Sequence, residues 1–162
     1  MTGEEMKQRN IAAMGEDLGK QYSALFHEIT ALHLYWNEFI ELFGTNDARI
    51  RRLNQAAPGF FQMLQEQQFE TNLSHMARLT DSPKSMGKDN LTVRSLPDLV
   101  ADQALKDTLT THVGEVRQKT KFCREWRNRR FAHHDLKLAI GDGQATPLTR
   151  ATKNRLQKRS SP

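Results

Sequence analysis

A chain of 162 residues suits one domain with an appreciable core. Hydrophobic content of 37% against 27% charged residues excludes a disordered or fibrous class, and no apolar run is long enough to cross a bilayer. The formal charge of +5 does not describe the body: residues 143–162 carry Arg150, Lys153, Arg155, Lys158 and Arg159 and no acid, so residues 1–142 sum to zero.

The opening MTGEEMKQRN holds acids and no apolar core segment, so it does not read as a secretory signal. Residues 1–15 are expected to be a flexible N-terminus. From Glu16 to Phe43 a helix is predicted. Leu18, Tyr22, Leu25, Ile29, Leu32, Trp36, Phe39 and Phe43 alternate steps of four and three, and Phe26 and Ile40 widen the stripe. Gly44 stops it, and Thr45, Asn46 and Asp47 offer caps for a short helix over 47–56. Pro58 suits the first turn of a helix over Pro58–Leu79, with Phe61, Leu64, Phe69, Leu73 and Met76 inward.

Residues 80–90, TDSPKSMGKDN, read as a loop, and residues 91–100 as a short helix interrupted at Pro97. A last long helix is predicted from Asp102 to Ile140, with Leu105, Leu109, Val113, Val116, Cys123 and Trp126 as its buried stripe. GDG at 141–143 ends it, and the basic remainder, residues 141–162, reads as a disordered tail. No strand is expected. The fold class is all-α, with long helices joined by short connecting ones and a folded domain over residues 16–140.

Much chemistry is missing from the sequence. It has no GxxxxGK[ST], no GxGxxG and no HExxH. His27, His33, His75 and His112 lack ligand spacing, and Cys123 is the sole cysteine, so neither a metal site nor a disulfide nor any cofactor is expected. Cys123 reads as a small inert hydrophobe, and the cytoplasm is the expected compartment.

What stands out is EWRNRRFAHHD, residues 125–135. Between Arg117 and Arg130 seven cations face one acid, Glu125. The stripe that ends at Trp126 would continue into Arg127, Arg130, His133 and His134, where burial favours Leu or Ile. Buried charge is costly without a partner, and such a breach of patterning marks a functional site. The bland reading is a helix end whose cations complement its dipole. Arg127 and His134, seven apart, share a face. Arg127 and His133, six apart, stand about 120° apart on a straight helix.

Arg127-Asn128 followed by Ala132-His133 resembles the signature of the HEPN superfamily, an Arg and a polar residue followed a few residues later by His. ALHLYWNEFIELFG (31–44), RLNQAAPGFFQMLQ (52–65), ARLTDSP (77–83), NLTVRSL (90–96) and WRNRRFAHHDL (126–136) are similar, in order, to the AbiU-type members named for phage abortive infection. The resemblance implies an all-α, HEPN-like bundle of long antiparallel helices. It also implies a metal-independent RNA endonuclease acting as a toxin or antiphage effector, with two protomers pairing across a composite site. Arg127, His133 and Asn128 would be catalytic. Arg130, His134 and Asp135 would bind or orient RNA, with Arg124 and Arg129 as further, solvated RNA contacts. RNA, a second copy of the chain and an antitoxin or regulatory protein are the implied partners; no membrane is. Two departures stand out: Asp135 occupies a position where some relatives carry a modifiable tyrosine, and a short basic tail replaces further helical sequence. A HEPN module that binds RNA, nucleotide or protein without cleaving is the alternative, and a plain helical interaction protein the third reading.

Overall fold

Helices dominate the computed structural model, which describes residues 1–44 and 46–131. They are α1 (Gly3–Met14), α2 (Glu16–Phe43), α3 (Asp47–Ala56), α4 (Pro58–Leu79), α5 (Gln103–Lys119) and α6 (Lys121–Trp126). A 3-10 helix spans Val93–Leu99, and a π-helical turn covers Arg127–Phe131. The class is all-α, as the periodicity predicts. Among the described residues no helix is long and apolar enough to cross a membrane.

Local chemistry sets most boundaries. Asn46 caps α3 by accepting from the Arg49 N–H at 3.1 Å, and Asp102 caps α5 by accepting from the Leu105 N–H at 2.7 Å. Pro58 opens α4, where its missing N–H costs nothing. Residues 3–14, which the sequence reading leaves outside the domain, form α1. Thr2 and Glu5 close a capping box at its start: Glu5 N–H donates to Thr2 Oγ1 at 3.2 Å, and Thr2 N–H to Glu5 Oε2 at 2.7 Å.

The chain divides into two compact units. One comprises Met1–Leu32 with His75–Arg124; the other comprises His33–Ser74 with the chain from Glu125 onward. The divisions fall inside α2 and α4.

In the first unit Gly15, at φ 86°, turns the chain from α1 into α2. A methyl group on Gly19 would stand 2.5 Å from the Ile11 Cα, so only glycine permits this approach of the two backbones. Leu25, Ala77, Leu79, Val100 and Cys123 are buried. The segment after α4 is held by threonines. The fully buried Thr92 places its hydroxyl 2.9 Å from the Leu79 carbonyl oxygen and 3.0 Å from that of Asp81. It thereby answers carbonyls that the end of α4 leaves orphaned.

Two expectations for this unit are corrected. Residues 80–90 are not a plain loop: Lys84–Ser85 and Lys88–Asp89 pair as an antiparallel hairpin, β1 and β2. Met86 and Gly87 both take positive φ, 51° and 78°, the conformation of a two-residue primed turn. The long final helix is broken at Thr120. The Thr120 hydroxyl lies 2.8 Å from the Val116 carbonyl oxygen and 3.1 Å from the Thr80 hydroxyl, and α6 starts afresh at Lys121. The apolar stripes are also less buried than their periodicity implies. Tyr22, Phe26 and Ile29 on α2, and Leu105 and Val116 on α5, remain exposed.

The second unit is built on aromatic contact. Trp36, Phe39 and Phe43 follow one another along α2, with ring centroids 5.6 and 5.7 Å apart. Phe39 reaches Phe69 of α4 at 6.0 Å, and Phe69 meets Trp126 edge-on at 6.0 Å. Ile40 and Leu73 are buried within it.

Candidate active site

Arg124 is the last cation of the basic run in the first unit, and its side chain is engaged in holding the fold. Its Nη1 donates to Thr80 Oγ1 at 2.7 Å, and its Nη2 to the Arg117 carbonyl at 2.9 Å. It thus ties the last turn of α5 to the residue that ends α4, and it does so with the charge-assisted bonds that a guanidinium gives.

From Glu125 the segment belongs to the second unit. Trp126 closes α6 and sets its ring against Phe69. The backbone then widens from α to π over Arg127–Phe131. A π turn bonds i to i+5, accommodates an extra residue, and occurs frequently at functional sites. Its consequence here is direct. The separation of about 120° between Arg127 and a residue six positions on applies only to a regular α-helix, and the helix stops being regular at Arg127 itself.

The site geometry follows from that turn. Arg127 Nε donates to Asn128 Oδ1 at 3.1 Å. Adjacent side chains diverge on a regular α-helix; in the π turn these two meet. Asn128 therefore orients the guanidinium, a planar donor group suited to phosphate oxygens. Arg129 stands 3.7 Å from Glu125 Oε1, which places an acid of the segment beside one of its cations. Arg130 contributes its backbone to the π turn. His133, His134 and Asp135 lie outside the described residues, as does the basic tail.

Sequence reasoning passed over two side chains near Trp126. Asn72 follows Phe69 by three residues, so it shares the face of α4 that Phe69 turns to Trp126. It is 1% exposed, and neither amide atom has a partner among the described residues. Gln68, one turn earlier, likewise has a buried Oε1 with no partner among the described residues. Three buried amide atoms on neighbouring turns of α4 without a partner among the described residues are an unusual concentration of polar cost. The signal was available only as polar residues interrupting an apolar stretch.

A family model for AbiU2, HEPN_AbiU2, matches residues 15–159. The chain belongs to the AbiU2 family of HEPN proteins. It is therefore an all-α, HEPN-like domain of the abortive-infection kind. No curated protein and no solved structure matches the chain. The AbiU2 match includes the whole of EWRNRRFAHHD, so the motif lies inside the shared domain.

Proposed function

We propose that this AbiU2 protein is a metal-independent RNA endonuclease that acts as a toxin or antiphage effector. The observation that carries the reading is the coincidence of the Arg127-Asn128 motif with the π turn, which lifts the motif out of regular helix and couples its two side chains. In the proposed step a ribose 2′-OH gives its proton to the imidazole of His133 and attacks the adjacent phosphorus. The P–O5′ bond breaks, and the departing oxygen takes up a proton as a 5′-OH. A 2′,3′-cyclic phosphate remains on the other fragment. An imidazole titrates near neutrality and serves as general base or acid, typically for about 10²–10⁴-fold. Arg127 stabilises the phosphate oxygens as charge builds on them, and Asn128 keeps the guanidinium in place. Pairing of two protomers belongs to the same reading, and the exposed Tyr22, Phe26 and Ile29 along α2 support it with an apolar surface.

The deciding experiment is cleavage of end-labelled RNA in EDTA by the wild type, Arg127→Ala and His133→Ala, purified identically. Cleavage by the wild type alone, leaving cyclic-phosphate ends, is expected. The expected loss is at least about 10²-fold in either variant. Equal cleavage by all three would refute the assignment of these residues. RNA binding without cleavage by the wild type would make the protein a binding module instead.

A further inference from the structure

Away from the motif, the second unit contains a groove of about 490 Å³ between the end of α2, α3 and the start of α4. Its walls include Phe43, Ile50, Leu53 and Phe61, and Asn54 and Gln65 are among the residues that line it. The volume falls in the range of small-ligand sites, which combine apolar walls with a few placed polar groups. Gln62 also lines the groove, but its Nε2 donates to Glu66 at 3.2 Å. Among the described residues no hydrogen bond engages the side-chain amides of Asn54 and Gln65. Each presents a donor beside an acceptor, the pattern that reads a nucleobase edge.

The charges on α3 select the occupant. The helix carries Arg49, Arg51 and Arg52 against Asp47 alone. Arg49 is held by Glu41 Oε2 at 3.1 Å and by the Glu41 carbonyl. Arg51 and Arg52 are exposed, and neither has an ion-pair partner among the described residues. Their directions differ. Ile50, Leu53 and Asn54 give the groove face of α3; at about 100° per residue, Arg51 flanks that face beside Asn54, whereas Arg52 points to the opposite side. The groove thus has aromatic walls and amide side chains, and Arg51, outside its lining, is the unpaired α3 cation that helical spacing sets nearer to it.

We propose that this groove is a second RNA subsite that takes one unpaired nucleotide of a single strand. The base lies against Phe61 and Phe43, its edge meets Asn54 and Gln65, and its phosphate sits on Arg51. The proposal rests on the reading of the protein as an RNA-directed one and extends it to a surface distinct from the arginine–histidine motif. Stacking on aromatic walls tolerates any base, and amide readers then bias the choice.

Arg52 supplies the control. Affinity for a fluorescein-labelled 12-nucleotide single-stranded RNA is to be measured by anisotropy across a salt series, on the full chain carrying His133→Ala to silence cleavage. Arg51→Ala is expected to weaken binding about three- to ten-fold and to lower the salt slope by about 0.7, one phosphate contact on a single strand. Arg52→Ala, with the same charge change on the same exposed helix, is expected to leave affinity and slope unchanged. Asn54→Ala is expected to reduce discrimination between homopolymer strands. In the cleavage-competent protein, Arg51→Ala should raise KM without changing kcat. Equal losses for Arg51→Ala and Arg52→Ala would overturn the subsite in favour of a solvated basic helix, and so would no loss in either. The outcomes separate from those of the cleavage assay: a wild type that binds through Arg51 but never cleaves keeps the subsite and loses the nuclease. A wild type that cleaves but is indifferent to Arg51 does the reverse.

Discussion

The two compact units treat their buried polar groups in opposite ways. In the first, every buried threonine has an answered hydroxyl. Thr92 serves the carbonyls of Leu79 and Asp81, and Thr80 lies within hydrogen-bond reach of Thr120 and Arg124. In the second, Asn72 is as deeply buried as Thr92 and has no partner on either amide atom among the described residues. The first arrangement is what a scaffold requires, since an unmade buried hydrogen bond carries the full desolvation cost of its group. The second is tolerated only where something other than stability is selected. The Arg127 turn lies in the unit that bears that cost.

The largest effect expected from this contrast falls on the scaffold side. Thr92→Val keeps the shape of the side chain and removes the hydroxyl. The Leu79 and Asp81 carbonyls, which share the single hydroxyl proton, and the Arg94 N–H, 3.3 Å away, lose their partner together. Destabilisation of about 2 kcal/mol is expected, which lowers Tm by roughly 4–8 °C for a chain of this size. Thermal denaturation followed by circular dichroism measures it. A shift within about 1 °C would show that the threonine cluster carries no such weight.

The second effect has the opposite sign. Asn72→Leu removes both unpartnered amide atoms and keeps a side chain branched at the same carbon. If the amide is a cost within the free protein, the variant gains about 1 kcal/mol, and Tm rises by about 2–4 °C. A fall in Tm would mean that the amide is answered within the fold, and the contrast between the units would collapse. A rise accompanied by loss of RNA cleavage would place Asn72 among the groups that the site uses.

The same contrast explains what the sequence could and could not convey. Helices α2, α3 and α4 were legible to the residue because their stops are local: Gly44, the Asn46 cap and Pro58 act within a turn of the boundary they set. Helix α1 was not, since Met6 and Ile11 are too few to make a stripe and its start depends on a reciprocal Thr2–Glu5 pair. The break at Thr120 was illegible for a different reason. It contains no glycine or proline; its partner from outside the helix, Thr80, is 40 residues back. The hairpin was hidden because Met86 adopts a conformation that side-chain sterics oppose. At the site, Arg127 and Asn128 were legible as a motif, but the π turn that joins them was not. Asn72 and Gln68 could not be recognised from sequence, because an isolated amide in a helix reads as surface until the packing around it is known.

The smallest effect concerns Cys123 and tests the scaffold in another way. The side chain is fully buried, with its sulfur 3.9 Å from Met76 Sδ. Burial pushes the thiol from 9.0 up to about 12, against a weaker opposing pull from the Arg124 guanidinium. The folded state therefore keeps its proton where the unfolded state has lost it. Stability from this group is complete below pH 9 and is lost as pH rises from 9 towards 12. A thiolate is the reactive form, so the native protein should resist a thiol reagent such as DTNB at pH 8 and react only at the rate at which the site opens. Thr92→Val, by loosening the end of α4, should raise that rate in step with its loss of stability. Immediate labelling of the native wild type at pH 8 would show that the first unit opens far more readily than its answered hydrogen bonds imply, and it would remove the distinction between a satisfied scaffold and a costly site.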